Sequence, residues 1–193
     1  MKSLYRGSLV RLASVQPDLL AKSLLKWDRD SEAQRLGDFM PVQLQSEKKI
    51  KEYLEKREEN NTSYRFSILT LAGDVFIGFT SLWVNDWNLG EAWLGIFIGE
   101  RDYWGKGYGT DAMRLIVQYG FMELNLRRIS LGLHAFNERA LKSYLKVGFR
   151  VEGRERGVFL RDGVRYDDLV MGLLREEWLE MQNETNTGNA SKP

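Results

Sequence analysis

The stretch WGKGYGTDAM, residues 104–113, governs the interpretation of this chain because it sets three alternating glycines directly before an amphipathic helix. Gly105, Gly107 and Gly109 leave the backbone uncovered, and the apolar residues that follow recur with a helical period. Bare backbone N–H groups at a helix N-terminus, together with the helix dipole, attract a phosphate. The stretch predicts a phosphate-binding loop, with a plain flexible turn as the alternative.

Two familiar phosphate loops do not fit these residues. A Walker loop ends in Gly-Lys-Ser/Thr, and no glycine of this chain is followed by that pair. A dinucleotide loop needs a third glycine where Thr110 stands, and an acidic residue about 20 positions later, where the chain has Arg127 and Arg128. Each helix-terminal charge contact contributes only ~0.3–1 kcal/mol, so the ligand must also be held elsewhere. A long ligand with a pyrophosphate fits better than a compact one.

Composition limits the class of protein. With 193 residues the chain fits one domain, predicted over residues 1–181, and the polar residues 182–193 are predicted to be disordered. The net charge of +1 offers no basic stripe for nucleic acid. The chain has no cysteine and one histidine, which excludes thiolate and multi-histidine metal sites and predicts no metal cofactor.

The N-terminal residues alternate apolar with polar side chains and lack the apolar core of a signal peptide. No apolar run approaches the roughly 20 residues that a membrane-spanning helix needs. We therefore expect a cytoplasmic protein without a membrane partner. An exposed sheet edge makes a homodimer plausible.

Periodicity predicts the order of the elements. β-Branched and aromatic runs separated by turn residues predict strands over residues 8–12, 64–71, 75–84, 91–98, 128–135, 151–159 and 164–173. Helical periods predict helices over residues 14–28, 46–57, 110–124 and 137–148, whereas residues 28–45 show no clean period and are predicted to be a loop with at most one helical turn. The pattern indicates an α/β (α+β) fold, a mixed and mostly antiparallel sheet of six to seven strands flanked by about four helices.

A second motif, NERALKSYLKVGF, follows the predicted strand at residues 128–135. Asn137 and Tyr144 are seven residues apart, about two helical turns, so both side chains point the same way from the helix. If the strands before the two motifs lie side by side, the glycine loop and this helix leave the same sheet edge. One extended ligand can then contact both.

Taken together, the two motifs resemble the GNAT superfamily of acyl-CoA-dependent N-acetyltransferases, over nearly all of residues 8–174. Its phosphate loop reads Q/R-x-x-G-x-G/A, which Trp104, Gly107 and Gly109 match with a Trp in the first position. That departure removes one side-chain donor. The C-terminal hairpin is most similar to the branch of ribosomal-protein N-terminal and spermidine acetyltransferases.

The resemblance implies that acetyl-CoA lies where the fourth and fifth strands splay apart. Strand backbone at Phe97, Ile98 and Gly99 would contact the pantetheine, and Asn137 with the turns after it would hold the thioester end. The residues carried over as contacts of the pyrophosphate are Trp104, Gly105, Lys106, Gly107, Tyr108, Gly109 and Thr110. Ala140 and Ser143 on the second helix complete the expected cofactor site.

With no cysteine to carry an acyl group, the simplest chemistry is direct attack of an amine on the thioester, which expels a CoA thiolate. Tyr144 is the candidate general acid for that thiolate, and its alternative is a core tyrosine bonded to a carbonyl. Glu91 and His134 are the two candidate bases. Each has a structural alternative, as a solvated strand-end charge and as a lone structural histidine.

The acceptor is predicted to be a protein or peptide N-terminal amine, with a polyamine or aminoglycoside as the alternative. Residues 28–45 and the tryptophans near the meander, Trp83, Trp87 and Trp93, are the expected recognition region. Its acidic residues, which would draw a cationic amine, are Asp28, Asp30, Glu32 and Asp38. A non-catalytic CoA-binding module and a nucleotide-binding protein are the competing classes.

Overall fold

In the computed structural model, which describes residues 3–37, 39–58 and 62–190, the chain forms one seven-stranded sheet. The strands are β1 (Val10–Ala13), β2 (Ser63–Thr70), β3 (Phe76–Asp86), β4 (Glu91–Ile98), β5 (Arg128–His134), β6 (Arg150–Arg161) and β7 (Val164–Leu174). The helices are α1 (Pro17–Trp27), α2 (Ser31–Gly37), α3 (Glu47–Glu58), α4 (Tyr108–Met122), α5 (Glu138–Val147) and α6 (Arg175–Ala190). The predicted mixed, mostly antiparallel sheet is confirmed.

The sheet opens in its middle. Its strand order is β1-β2-β3-β4-β5-β7-β6, and every neighbouring pair is antiparallel except β4 and β5, which are parallel. These two strands pair over three residues only, and Trp93 opposite Ser130 is the last pair. Beyond it, β4 stays on β3 as far as Ile98 and β5 stays on β7 as far as His134. The two central strands therefore diverge into a V-shaped cleft.

Helices α4 and α5 cover one face of the sheet. Met113, Ile116 and Phe121 of α4 are fully buried in the main core, and each such side chain contributes ~1.5–3 kcal/mol through burial. Helix α5 ends at Gly148, as the sequence predicts. The φ of Gly148 is 110°, a left-handed conformation that glycine adopts with little strain. The two helices that carry the sequence motifs thus rest on the same core.

Helices α1 and α3 cover the opposite face with a smaller core. Leu20 and Trp27 of α1 pack there with residues of α3, and Phe97 of β4 packs against the Trp27 ring at a centroid distance of 5.7 Å. A Cβ on Gly99 would lie 2.1 Å from that ring, so only glycine fits the close approach. This packing fixes the end of β4 at the mouth of the cleft.

The helices differ from the sequence-based expectation in number and extent, since the described residues form six α-helices where about four were predicted. Helix α2 lies in the segment predicted as a loop. Its seven residues bury only Ala33 and show no apolar period, so the sequence pattern does not indicate a helix there. Helix α6 runs to Ala190 through the tail predicted to be disordered, after Trp178 packs on Phe121 at 5.5 Å. Residues 191–193 of that tail lie outside the described residues.

Candidate active site

A cavity of about 1540 Å³ follows the cleft between β4 and β5. Pockets for single small molecules typically span roughly 300–1,000 Å³, so this one has room for a long ligand and a second molecule. We call the part lined by the end of β4, the glycine loop and α5 the loop half. The hairpin half is the part lined by Phe39, Trp93, Gly132, His134 and Asp168.

The glycine loop has the backbone conformation that a phosphate cradle requires. Gly105 and Gly107 have φ values of 70° and 91°, in the left-handed region that favours glycine. Gly107 is the N-cap of α4, and a Cβ on Gly105 would meet no atom within 4 Å. Gly107, Gly109 and Thr110 line the cavity. The first turn of α4, whose N–H groups lack intrahelical partners, thus opens on the loop half.

The start of α4 is anchored by a buried carboxylate. Asp111 accepts backbone hydrogen bonds from Leu9 at 2.8 Å and Val10 at 3.0 Å, which tie β1 to the first turn of the helix. A Cβ on Gly7 would lie 2.3 Å from an oxygen of that carboxylate, so the N-terminal segment also approaches closely. Asp111 therefore holds the glycine loop in place without lining the cavity itself.

The Trp104 side chain takes a defined place beside the loop. Its indole Nε1 donates to the Ile98 carbonyl at 2.7 Å, and the guanidinium of Arg139 lies 3.6 Å from the ring centroid. Arg101 lies on the ring at 4.9 Å, but its charge is paired with Asp30. Burial lowers the pKa of Arg139, which lines the cavity and forms no salt bridge with a carboxylate among the described residues. Sequence reasoning missed Arg139, although it lies inside the second motif.

Tyr144 lies in the loop half, as its seven-residue spacing from Asn137 predicts. Burial raises the pKa of its hydroxyl to about 12, and the nearby charge of Arg139 opposes that effect. Its ring also packs against the main core, with Phe149 at a centroid distance of 6.3 Å, so this position fits both the general acid and the core tyrosine of the alternative interpretation. One residue earlier, Ser143 Oγ shares a 2.8 Å hydrogen bond with Thr110 Oγ, which joins α5 to the glycine loop.

Asn137 joins the two halves of the cavity. Its Oδ1 accepts from the Ala140 N–H at 3.1 Å and caps α5, while its Nδ2 donates to the Leu36 carbonyl of α2 at 3.0 Å. Such a cap contributes about 1 kcal/mol to helix stability. The side chain that was predicted to hold the thioester end thus already connects α2 to α5, with one amide N–H left over.

Most of the predicted cofactor contacts line the cavity. They are Phe97, Ile98, Trp104, Gly105, Gly107, Gly109, Thr110, Asn137, Ala140 and Ser143. Gly99, Lys106 and Tyr108 do not: Gly99 faces the Trp27 ring, and Tyr108 packs edge-on against Tyr103 at 4.9 Å. The spacing of the motif cannot separate residues whose side chains turn away from the cleft from those that line it.

His134 lies at the end of β5 in the hairpin half, and it is only 3% exposed. Its Nδ1 is 3.5 Å from Asp168 Oδ1 on the neighbouring strand β7. Aromatic rings surround the imidazole: Phe39 and Phe159 meet it edge-on at 4.8 and 4.2 Å, and Phe136 stacks on it at 5.1 Å. The predicted base candidate therefore belongs to an acidic and aromatic cluster.

Asp168 is the functional candidate that sequence reasoning missed. Burial raises the pKa of its carboxyl, the His134 imidazole opposes that effect, and the Glu155 carboxylate adds to it. Its Oδ1 is buried without a hydrogen-bond partner among the described residues. Nothing in the local sequence YDDLVMGL separates Asp168 from its neighbour Asp167, which is partly exposed to solvent and paired with Arg154.

The structure does not bring Glu91, the other predicted base, into the cavity. Its Oε1 accepts a hydrogen bond from Ser130 Oγ at 3.1 Å and lies 3.6 Å from Arg128 Nε. Arg128 is also bound by Glu152, so these side chains form an ionic cluster at the closed end of the cleft. This arrangement is closer to the alternative interpretation, a charged residue at a strand end, than to a base that faces a substrate.

The predicted recognition segment, residues 28–45, lines the cavity with ten of its residues, although several of the individual side chains named with it lie elsewhere. Asp28, Trp83 and Trp93 line it, while Asp30 and Glu32 are bound to Arg101 and are therefore neutralised. Trp87 does not line it and packs edge-on against Tyr64. Asp38 lies outside the described residues.

Within residues 3–37, 39–58 and 62–190, no group of three His, Asp or Glu side chains is placed to hold a metal ion. No helix in the same part of the chain is long and apolar enough to cross a membrane.

A sheet that splays at its one parallel pair, with a glycine loop opening on the cleft, defines the architecture of a GNAT-type acetyltransferase. The family model described as "Acetyltransferase (GNAT) domain" matches residues 10–150. A probable N-acetyltransferase of Bacillus subtilis strain 168, YjcK, is 35% identical over 144 residues, which cover 74% of this chain and 78% of that protein. The chain belongs to the GNAT family of acyl-CoA-dependent N-acetyltransferases, as the two motifs predict.

Solved structures show the same fold. A spermidine N-acetyltransferase from Vibrio cholerae, crystallised with CoA and spermine, superposes with a TM-score of 0.79 at 22% identity and covers 88% of this chain and 98% of its own. A GNAT-family acetyltransferase from Bacillus anthracis gives a TM-score of 0.73 at 17% identity and covers 89% and 98%. At these identities the likeness shows the fold.

Proposed function

We propose that this protein transfers the acetyl group of acetyl-CoA to the N-terminal amine of a protein or peptide, with Tyr144 as the general acid. The observation that carries the proposal is the placement of Tyr144 in the same cavity as the left-handed glycine loop. One half of the cavity then holds the acyl donor, and the other half holds the amine.

The loop half fits the long donor that the sequence predicts. The backbone of Gly107 and Gly109 at the α4 N-terminus suits the diphosphate, and the open space at Gly105 admits it. Arg139, stacked on Trp104, supplies a cation where the family motif has a Gln or Arg. The free edge of β4 near Phe97 suits the amide groups of the pantetheine arm.

Tyr144 acts on the departing sulfur. The amine nitrogen bonds to the thioester carbon, the C–S bond breaks, and the sulfur must gain a proton to leave as a thiol. With its pKa raised to about 12, the phenol stays protonated at neutral pH and donates its hydrogen bond to that sulfur. Arg139 nearby favours the charge that develops on the phenol oxygen as the proton shifts.

His134 is the base proposed for the amine. A protonated amine has no lone pair for attack, so one proton must leave it before the N–C bond forms. His134 lines the hairpin half, and its imidazole lies 3.5 Å from the Asp168 carboxylate, which favours the protonated ring after transfer. Glu91 remains the weaker candidate because the ionic cluster with Arg128 holds it outside the cavity.

The charges of the cavity favour an acceptor with one ammonium over a polyamine. Its acidic lining residues are interspersed with basic ones. The acidic residues are Asp28, Glu138, Glu155 and Asp168, and the basic ones are Lys49, Arg65, Arg139, Lys142 and Lys146. A polyamine needs carboxylates spaced along its length, whereas a peptide N-terminus brings one charge followed by neutral backbone. This difference supports the peptide acceptor.

The test is thiol release from acetyl-CoA with a panel of N-terminally free peptides, spermidine and an aminoglycoside, followed by mass spectrometry of the acetylated product. We expect turnover with peptides and an acetyl group on their α-amine. Transfer to spermidine alone would assign the polyamine alternative. CoA binding without any transfer would leave a binding module instead of an enzyme.

A further inference from the structure

The apex of the cleft holds a small space bounded by one carboxylate and two aromatic rings. A Cβ placed on Gly132 would lie 3.5 Å from Asp168 Oδ2, 3.6 Å from Phe39 Cζ and 3.7 Å from Trp93 Cζ3. All four residues line the cavity. A carboxylate for the charge and aromatic carbons for the alkyl group, all within contact distance of one point, suit an organic ammonium.

Among the described residues, the only cationic partner within 4 Å of the Asp168 carboxylate is the His134 imidazole, and only when that ring is protonated. Asp168 is 6% exposed, and its Oδ1 is buried without a hydrogen-bond partner in the described part of the chain. When His134 is neutral, as it must be to accept a proton, the only charge in register with Asp168 on the next strand is that of Glu155, which is also negative. A buried charge without a partner is costly, so a cationic ligand would gain strongly from binding here.

The position of this space suits the reacting nitrogen. Trp93 pairs with Ser130 at the last point where β4 and β5 touch, and Gly132 is the second residue beyond that point. The two strands separate there, so a group at Gly132 lies where the cleft begins. His134 follows Gly132 on the same face of β5, within reach of the same carboxylate.

We propose that Asp168, Phe39 and Trp93 form an ammonium subsite over Gly132 that binds the acceptor amine before it loses its proton. This inference rests on the proposed function and names its acceptor class: a primary ammonium on an apolar carbon. The Asp168 carboxylate would pair with the charge, and the rings of Phe39 and Trp93 would contact the apolar carbon.

The test measures binding without turnover. Protein loaded with CoA is titrated with n-butylammonium chloride, with n-butanol as the uncharged analogue, and binding is followed by ligand-observed NMR at constant ionic strength. We expect saturable binding of the ammonium only. Asp168→Asn should weaken it by about tenfold or more, the size expected when a buried ionic contact is lost.

Gly132→Ala tests the same space without changing any charge. The added methyl would contact its neighbours at ordinary van der Waals distances, so the strand accepts it while the subsite loses its volume. We expect about a fivefold loss of butylammonium binding or more, since even partial displacement of the ligand breaks short ionic contacts. This variant also decides the matter if thermal melting shows that Asp168→Asn is unfolded.

Two matched controls accompany these variants. Asp167→Asn removes the same charge from the exposed face of β7, and Gly153→Ala adds the same methyl to β6 outside the cavity. Both should bind butylammonium within twofold of the wild type. Equal binding by Asp168→Asn, Gly132→Ala and the controls overturns the subsite even if acetyl transfer is observed. Normal subsite behaviour without any acetyl transfer would instead remove the proposed function.

Discussion

The loop half and the hairpin half of the cavity are built from very different lengths of chain. The loop half is built from the end of β4 to the end of α5, from Phe97 to Val147, within two motifs and the strand between them. The hairpin half joins Phe39, Trp93, His134 and Asp168, which are separated by as many as 129 positions. The loop half is therefore encoded by residues that are close in sequence, whereas the hairpin half forms only when the sheet brings distant residues together.

This difference teaches where chemistry and selectivity are encoded. The loop half depends on left-handed backbone conformations that glycine adopts easily. These conformations follow from the residue type at each position and need no distant contact. The hairpin half depends on which side chains the strands bring face to face. We expect changes in the loop half to alter donor binding or turnover, and changes in the hairpin half to alter acceptor binding.

The largest expected effect belongs to Tyr144→Phe. The variant keeps the ring that packs near Phe149 and loses only the hydroxyl, so turnover should fall by ~10²-fold or more while acetyl-CoA affinity is unchanged. Steady-state kinetics and calorimetric titration with acetyl-CoA measure the two quantities. An unchanged turnover would show that Tyr144 is not the general acid and that the loop half only binds the donor.

The next effect tests the backbone of the loop half. Gly107→Ala forces a Cβ into a left-handed conformation, at a cost of roughly 1–2 kcal/mol, and brings it 3.3 Å from Leu9. If the loop relaxes, its N–H groups turn away and acetyl-CoA affinity should fall by about tenfold, which corresponds to ~1.4 kcal/mol. The affinity is measured by calorimetry.

Gly163→Ala is its matched control, with a φ of 78° at the hairpin tip and no atom within 4 Å of the new Cβ. It should lose similar stability in thermal melting but bind acetyl-CoA normally. If both variants bind the donor equally well, the shape of the glycine loop does not matter for donor binding, and the two halves differ less than we infer.

A smaller effect is expected for Arg139→Ala. Removal of the guanidinium stacked on Trp104 should weaken acetyl-CoA binding about fivefold, with little change in the KM for the amine, since a charge-assisted contact to a phosphate contributes of the order of 1 kcal/mol. Arg114→Ala, on the exposed face of α4, is the control for loss of one positive charge. A larger change for the amine than for the donor would move Arg139 into the hairpin half.

The last expected effect concerns stability at high pH. The folded pKa of Tyr144 is raised to about 12 from an ordinary value of 10.0, so the unfolded chain releases this proton first. The contribution is fully present below pH 10 and is lost as the pH rises toward 12. Between these values Tyr144→Phe should lose less stability than the wild type in denaturant titrations, and equal losses would contradict the raised pKa.

Much of the fold follows from pattern in the sequence. Strict alternation and turn residues located the meander of β2, β3 and β4, and the apolar stripe of α4 located its buried face. The sequence does not predict the short helix α2, because that helix buries only Ala33. It also does not predict the extent of α6, because a polar helix has no apolar period. Where a segment buries almost nothing, its sequence carries almost no signal.

The candidate site divides in the same way. The glycine loop and Tyr144 were found from spacing, but Lys106 and Tyr108 were included although they do not line the cavity, since a motif does not record which way each side chain turns. Glu91 was chosen as a base from its place on β4, and the ion pair with Arg128 was invisible at that stage. Arg139 lies inside the second motif, where its spacing does not distinguish it from the other basic residues, Lys142 and Lys146.

The sequence by itself determined the glycine conformations before α4, the helical face shared by Asn137 and Tyr144, and with them the family. These features depend on the local conformational preferences of each residue, so they can be predicted without distant contacts. The tertiary structure alone decided that Asp168, and not its neighbour Asp167, is buried beside Gly132 with Phe39 and Trp93. Side chains from four separate segments meet there because strand register and sheet order set distances that no local pattern contains.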